Sequence, residues 1–245
     1  TPGGKAGFRP DYASIVYTRI LKKLYPEITV VLGRIEASMR RLTHYDYWKD
    51  KVKPSILLSS GADMLVYGMG EQPVRDLIRL IAKGVPFKSL NTIPQTVIAI
   101  NRNDSLPVNG KWKDIILGSH EECVADKKIF ASNFVIFEKE SNRMEAARLA
   151  EPSGDKMVIV NPPYLPMSTE EADRTHDLPY MYMPHPKYRN KGSIPAYEMI
   201  KFSVNIHRGC FGGCSFCAIA AHQGKQIVRR SEKSILAEIE KIRSL

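Results

Sequence analysis

Three cysteines within eight residues, Cys210, Cys214 and Cys217, constrain this chain more than any other feature of its sequence. They form a Cys-x-x-x-Cys-x-x-Cys pattern directly after residues 202–206, whose alternation of apolar and polar side chains predicts a strand. The fourth cysteine, Cys123, is distant in sequence, whereas a secreted disulfide scaffold distributes its cysteines along a short chain. Clustered thiolates are soft ligands that suit iron–sulfur clusters and zinc. The pattern therefore predicts a metal-binding loop at the end of a strand.

The number of cysteines favours a cluster that is not fully ligated by protein. A cubane cluster usually takes four cysteines, so three on one loop leave one iron open for chemistry. Gly209, Gly212 and Gly213 allow the backbone to wrap closely around a bulky cluster. The alternative is structural zinc with four ligands, although zinc sites usually show two Cys-x-x-Cys pairs or a distant Cys/His pair, and neither is present. The candidates for a fourth zinc ligand are His207, His222 and Cys123.

The motif resembles that of the radical S-adenosylmethionine (SAM) superfamily. The resemblance implies that Cys210, Cys214 and Cys217 hold a four-iron–four-sulfur (4Fe-4S) cluster, and that SAM binds to the open iron. In that family one electron from the cluster cleaves SAM to methionine and a 5′-deoxyadenosyl radical, which abstracts hydrogen from a substrate. The resemblance also makes Phe216 and Arg230 candidate cofactor-binding residues, Phe216 near the adenine and Arg230 close to the cluster loop.

The N-terminal part of the chain alternates predicted strands and helices. The β-branched residues 28–32 end at Gly33, and the apolar residues 62–67 end at Gly68. A helix is predicted over residues 71–83, which start with an acidic residue and a proline and end with a lysine before a glycine. Repeated strand, glycine turn and helix indicate an α/β layer with a parallel sheet.

The rest of the chain is less regular in pattern. Residues 96–100 predict a strand, and the turn-rich residues after it predict a domain boundary. Residues 119–150 predict helices, the first of them with a capping box at Ser119 and Glu122. A strand over residues 156–160 precedes a proline-rich segment, in which Ser168 can start one short helix, and Ser231 is the predicted N-cap of a C-terminal helix.

Composition excludes few classes of function. The net charge is +10 and the pI is about 9.4, which permits a nucleic-acid partner but does not indicate one, because the lysines and arginines are dispersed. No stretch approaches the roughly 18 apolar residues of a membrane span. No apolar signal core is present at the start, so we expect a cytoplasmic protein without a membrane partner.

Several longer segments resemble the YgiQ family of radical SAM proteins and cover most of the chain outside residues 85–155. The resembling residues are Gly33-Arg34-Ile35-Glu36-Ala37-Ser38, His44-Tyr45-Asp46-Tyr47-Trp48, Ala62-Asp63-Met64-Leu65, Asn161-Pro162-Pro163, Ser168-Thr169-Glu170-Glu171, Pro184-His185-Pro186 and Ile194-Pro195-Ala196-Tyr197-Glu198-Met199-Ile200. The family has Gly-Gly where this chain has Gly33-Arg34, so a large cation stands at a strand-end turn.

The resemblance implies an α/β fold: a partial flavodoxin-like (cobalamin-binding-like) parallel sheet domain followed by the beginning of a radical SAM partial (β/α) barrel. The expected divisions are residues 1–110 for the cobalamin-binding-like domain, whose N-terminal part is missing, residues 111–195 for a helical and proline-rich connecting region, and residues 196–245 for the start of the radical SAM domain. No Asp-x-His-x-x-Gly motif supplies a cobalt ligand, so we expect no cobalamin.

We therefore expect the parent protein to be a radical SAM enzyme of unknown substrate, served by an electron donor of flavodoxin or ferredoxin type. Only 28 residues follow Cys217, so we expect this chain to be an incomplete piece that is inactive alone. Two alternatives stay open. One is a basic nucleic-acid-binding module with a structural metal site, and the other is a cluster-bearing electron carrier without SAM chemistry.

Overall fold

A computed structural model describes residues 2–4 and 6–244 of the chain. These residues divide into two compact units. The larger unit comprises residues 14–165 and 210–226, and the smaller unit comprises the described residues up to Ala13, residues 166–209 and the described residues from Ile227 on.

The described residues form ten α-helices and ten strands. The helices are α1 (Ala13–Leu24), α2 (Arg34–Met39), α3 (Ile56–Ser60), α4 (Glu71–Ala82), α5 (His120–Ala125), α6 (Lys127–Glu140), α7 (Thr169–His176), α8 (Pro195–Ile200), α9 (Ile219–Gln223) and α10 (Glu232–Arg243). The strands are β1 (Val31–Leu32), β2 (His44–Asp46), β3 (Lys51–Lys53), β4 (Met64–Val66), β5 (Thr96–Asn101), β6 (Asp114–Ile116), β7 (Arg148–Ser153), β8 (Lys156–Val160), β9 (His207–Arg208) and β10 (Val228–Arg229).

The larger unit is built on a mixed sheet of six strands in the order β1-β4-β5-β8-β7-β6. The β1–β4 pair is parallel, as the strand–glycine–helix pattern predicts, and β6–β7 is parallel as well. The other three pairs are antiparallel, so the prediction of a parallel sheet holds only in part. One cause is the two-residue connection between β7 and β8, in which Gly154 has a φ of +59°, because so short a loop joins only antiparallel neighbours.

Both faces of this sheet are buried. Neighbouring residues of one strand point to opposite faces, so Val97 packs with Leu65 and Val158 in one apolar cluster while Ile98 and Ile159 pack in another. The first cluster includes residues of α3 and contacts α6, and the second includes Leu77 of α4. This arrangement explains why β4, β5 and β8 contain continuous apolar runs rather than alternating ones.

The predicted domain boundary at residue 110 differs from the division in the structure. Residue 110 lies between β5 and β6, and both strands belong to the same sheet. The guanidinium of the buried Arg148 donates two hydrogen bonds to Asp114, at 2.7 and 3.0 Å, and a third to the carbonyl of Pro107 at 2.7 Å. The connector is therefore held to the sheet edge by charge-assisted bonds.

Local signals predict helix starts better than strands. The capping box at Ser119 and the caps at Ser168 and Ser231 are confirmed, and α4 matches its predicted range closely. Two local predictions are wrong. The helix-rich range 119–150 ends in strand β7, where pairing with β8 outweighs local propensity. Residues 202–206 form no strand, and the short strand β9 begins directly after them.

The backbone conformation of Arg34 shows why the Gly-Gly pattern of the resembling family is sterically favourable at this turn. It begins α2 with a φ of +67°, in the left-handed region that favours glycine. An arginine in this conformation costs about 1–2 kcal/mol relative to glycine sterically. The Gly-Gly pattern of the family suits this turn better than Gly33-Arg34.

No described helix combines the length and the apolar character that crossing a membrane requires.

Candidate metal centre

The three motif cysteines lie on a short loop of the larger unit, residues 210–217, which we call the cysteine loop. Gly209 precedes it with a φ of +84°, a conformation that side chains disfavour. The backbone N–H of Cys217 donates to the carbonyl of Cys214 at 3.1 Å, which makes a tight turn between the second and third cysteines. The N–H of Cys210 donates to the carbonyl of Gly224 at 3.1 Å, so the loop and the following helix α9 close into one segment.

Gly212 is placed against two of the thiols. A Cβ atom at this position would lie 3.3 Å from Cys210 Sγ and 3.9 Å from Cys214 Sγ, so the absence of a side chain leaves room beside both sulfurs. The N–H of Gly212 donates to Cys210 Sγ at 3.4 Å, and N–H groups directed at sulfur stabilise thiolates that ligate clusters. Cys214 is exposed, and Cys210 and Cys217 are half-buried.

These residues fit an iron–sulfur cluster by their chemistry. Three soft thiol donors, a backbone donor and an unfilled space share one short loop, and the structure records all three thiols as free. Among residues 2–4 and 6–244, no three His, Cys, Asp or Glu side chains stand in an arrangement ready to hold a metal ion.

The two other predicted cofactor residues are in different surroundings. Phe216 belongs to the cysteine loop, and its side chain is 91% exposed. Arg230 is buried in the smaller unit, where its guanidinium donates to Ser234 Oγ at 2.8 Å, to the carbonyl of Asn205 at 2.9 Å and to the carboxylate of Glu238. These contacts fix the start of α10, and contact with a cofactor stays a prediction for both residues.

Helix α9 is anchored to the α/β sheet through a buried serine. Ser38 Oγ of α2 lies 2.8 Å from His222 Nδ1 of α9, and it accepts a hydrogen bond of 2.8 Å from the N–H of Gly68. Gly68 ends the β4 region with a φ of +67°, and a Cβ there would approach the carbonyl of His222 to 3.4 Å. The segment that follows the cysteine loop is thus attached to the turn after a central strand, which the sequence motif does not reveal.

The candidate fourth zinc ligands have other partners or positions. His222 contacts Ser38, as described, and His207 is exposed on β9. Cys123 is buried, and its sulfur accepts a hydrogen bond of 3.1 Å from Asn133 Nδ2.

A separate pocket of the larger unit contains functional groups that sequence reasoning missed. It has a volume of about 430 Å³, and α2, α5, α6, α9 and the segment around β2 contribute to its walls. The buried carboxyl group of Glu151 lies in it. A signal for this residue exists in the sequence, since Glu151 interrupts the apolar residues of β7, but a single carboxylate does not identify a pocket.

Comparison with known proteins identifies relatives along the whole chain. A family model described as Radical SAM N-terminal matches residues 1–203. A UPF0313 protein of Bacteroides thetaiotaomicron is 55% identical over 256 residues, which cover 100% of this chain and 41% of that protein. A UPF0313 protein of Geobacter sulfurreducens is 45% identical, over 100% of this chain and 40% of that protein. UPF0313 protein YgiQ of Escherichia coli strain K12 is 40% identical, over 99% of this chain and 40% of that protein.

The chain spans about two fifths of the length of these curated relatives. No solved structure gives a significant match. The resemblance to the YgiQ family is confirmed by relatives that carry that name or the UPF0313 name. The chain therefore belongs to the radical SAM N-terminal family, among UPF0313 proteins that include YgiQ.

Proposed function

We propose that this chain provides the cluster-binding loop of a radical SAM enzyme of unknown substrate. Cys210, Cys214 and Cys217 would hold a 4Fe-4S cluster and would leave one iron without a protein ligand, to which SAM could bind. When bound, the cluster supplies the electron that cleaves SAM to methionine and a 5′-deoxyadenosyl radical. In this proposal an electron donor of flavodoxin or ferredoxin type reduces the cluster, and the protein works in the cytoplasm, where thiols stay reduced.

The observation that carries the proposal is the position of Gly212 beside the sulfurs of Cys210 and Cys214. A thiolate ligand bears negative charge, and the N–H of Gly212 directed at Cys210 Sγ stabilises that charge. Three thiolates leave one iron without a protein ligand, as SAM binding requires. In this proposal Phe216 contacts the adenine of SAM, and Arg230 positions the start of α10.

Single cysteine variants test the proposal. After anaerobic reconstitution with iron and sulfide, we expect about four irons and a similar amount of acid-labile sulfide per chain. Cys210→Ala, Cys214→Ala and Cys217→Ala should each lose most of that iron. Cys123→Ala is the matched control, because Cys123 belongs to the same unit but lies in the pocket, and it should keep the full amount. One tightly bound zinc in place of iron, or equal iron in all four variants, contradicts the proposal.

A second candidate function has one specific observation in its favour. The hairpin of β2 and β3 exposes Tyr47 and Trp48, whose rings stack with centroids 5.2 Å apart, next to the exposed Lys49 and Lys51. Aromatic rings beside cations are the elements of single-stranded nucleic-acid binding.

Fluorescence anisotropy with a labelled single-stranded oligonucleotide tests this second function. If the hairpin binds nucleic acid, Trp48→Ala weakens binding about tenfold, which corresponds to the contribution of one stacked base. Trp112→Ala, at the only other tryptophan, should leave binding unchanged. Equal binding by both variants, or none by the unsubstituted chain, rules out this function for the hairpin.

A further inference from the structure

The pocket that contains Glu151 has predominantly apolar walls. Three rings of α6, those of Phe130, Phe134 and Phe137, line one side, and Leu42 and Leu117 are among the other apolar residues. Its volume of about 430 Å³ lies within the range of pockets that hold small organic molecules. Ala221 of α9 also lines it, so the pocket adjoins the segment that follows the cysteine loop.

The polar groups in the walls are mostly occupied by one another. Asn133 Oδ1 accepts from the N–H of Gly118 at 3.0 Å, and its amide nitrogen donates to the carbonyl of Gly118 at 2.8 Å and to the sulfur of Cys123 at 3.1 Å. His44 Nδ1 donates to the carbonyl of Leu42 at 3.2 Å, so its other ring nitrogen is an acceptor. Neither Asn133 nor His44 thus provides a strong donor to a bound molecule.

The carboxyl group of Glu151 is the dominant polar feature. Glu151 is 1% exposed, and its two oxygens accept hydrogen bonds of 2.7 and 3.2 Å from the N–H of Thr43, whose side chain also forms a hydrogen bond to this carboxyl group. A carboxylate has about four acceptor sites, so the two groups of Thr43 leave part of its capacity unused. A buried carboxylate with so few donors calls for a donor, and a positively charged one compensates for lost hydration best.

The charge of the lining has the opposite sign to that of the whole protein. The net charge is +10, yet the described residues that line the pocket include two glutamates, Glu138 and Glu151, and neither lysine nor arginine. Glu138 pairs with Lys225 at 2.8 Å. Arg41 stacks on the ring of Phe137, 4.1 Å from its centroid, and its two terminal nitrogens donate to Ser38 and Ser141, whereas its Nε–H has no partner among the described residues. An anionic ligand would meet a like charge at Glu151.

We propose that this pocket binds a small organic amine, with its ammonium group against Glu151 and its aromatic or aliphatic body between the phenylalanine rings of α6. The ammonium supplies a further donor that also carries the opposite charge, and the rings add favourable contacts with both the body and the charge. The inference does not rest on the proposed function, because amine binding needs neither the cluster nor SAM, so either can fail alone.

Calorimetry on the folded chain at pH 8 tests the proposal with two probes that share a ring system, tryptamine and indole-3-propionate. We expect tryptamine to bind at least tenfold more tightly. Glu151→Gln keeps the side-chain shape and should remove this preference, whereas Glu145→Gln, at an exposed glutamate outside the pocket, should preserve it. Equal or tighter binding of indole-3-propionate, no binding of tryptamine, or a preference that survives Glu151→Gln overturns the proposal.

The pH dependence of binding gives a second measurement that needs no variant. The other titratable groups that line the pocket or lie on α5 beside it are His44, Tyr45, His120, Glu121, Glu122, Cys123 and Glu138. Burial lowers the pKa of His44 to about 4, lowers that of His120, and raises that of Cys123 to about 11, so none of these three gains charge as the pH rises from 6 to 8. Hydrogen bonds at the start of α5 lower the pKa values of Glu121 and Glu122, which keeps both ionised.

Burial raises the pKa of Glu151 to about 7, so this carboxyl group ionises between pH 6 and pH 8. Tryptamine stays protonated, as lysine does. Its affinity should therefore rise about tenfold from pH 6 to pH 8, in proportion to the ionised fraction of Glu151. An affinity that stays constant or falls over this range contradicts the proposal, even if Glu151→Gln does not fold.

Discussion

The cysteine loop and the Glu151 pocket lie in the same unit and are built in opposite ways. The cysteine loop is short and exposed, with a side chain such as Phe216 directed into solvent, and its order depends on a few backbone hydrogen bonds. The pocket is assembled from side chains that lie up to 182 positions apart, from Met39 to Ala221, and its carboxyl group is almost fully buried. One site presents soft donors to a metal, and the other presents a hard acceptor in apolar walls.

This difference shows how each site obtains its chemistry. The loop relies on the intrinsic softness of thiolates and on space left by glycine, so it tolerates solvent. The pocket relies on burial, which changes the protonation of an ordinary glutamate. Substitutions should therefore affect the two sites independently, through steric contact in the loop and through charge in the pocket.

The largest effect is expected from filling the space at Gly212. Gly212→Val places side-chain atoms against Cys210 Sγ and Cys214 Sγ, so we expect most of the reconstituted iron to be lost. Gly213→Val is the matched control, because a Cβ at Gly213 meets no atom within 4 Å, and it should retain iron. Iron and sulfide analysis measures both. Equal iron in the two variants would show that the space at Gly212 is irrelevant.

The second-largest effect is expected on the pH dependence of the stability of the folded chain, through Glu151. Burial raises the pKa of Glu151 from its ordinary 4.5 to about 7, so the folded chain keeps a proton that the unfolded chain releases. The free energy of unfolding therefore falls as the pH rises from about 4.5 to 7, and above pH 7 it is lower by about 3 kcal/mol.

The Glu151→Gln variant has no such proton to release, so its free energy of unfolding does not fall in this way. Relative to the unsubstituted chain, its free energy of unfolding should therefore increase by about 3 kcal/mol between pH 4.5 and pH 8. Urea denaturation at the two pH values measures this difference, and Glu145→Gln should show almost none. A constant difference between the Glu151→Gln and unsubstituted chains at both pH values would contradict the burial argument.

The smallest effect is expected at the anchor of α9. Ser38→Ala removes the contact with His222 and the acceptor of the Gly68 N–H, which should cost about 1–2 kcal/mol. Hydrogen exchange should accelerate at Gly68 and in α9. Ser59→Ala is the control, because Ser59 makes no hydrogen bond to α9 in the described part of the chain. Unchanged exchange in α9 would show that Ser38 does not hold the helix.

The sequence predicts the cysteine loop and several helix starts because those signals are contiguous. Cys210, Cys214 and Cys217 share one loop, and a capping box such as Ser119 with Glu122 needs only four residues. The range of α4 follows from its own caps and apolar face. Such features depend on short-range physics that a single segment contains.

Local sequence patterns do not predict features that depend on contacts between residues far apart in the chain. The residues of β7 include a glutamate and a proline, and only pairing with β8 and the clamp of Arg148 make them a central strand. Ser38 meets His222 across 184 positions. The pocket likewise exists only after α2, α5, α6 and α9 have packed, so no spacing rule locates Glu151 as a ligand-binding group.

Electron paramagnetic resonance spectra of the reduced, reconstituted chain, recorded with and without SAM, report whether one iron of the cluster is open. Three protein thiolates would leave one iron open, so the spectrum should change when SAM is added. The change with SAM itself is the predicted result. A cluster spectrum indifferent to SAM, or a chain that holds one zinc and no paramagnetic cluster, would contradict the account.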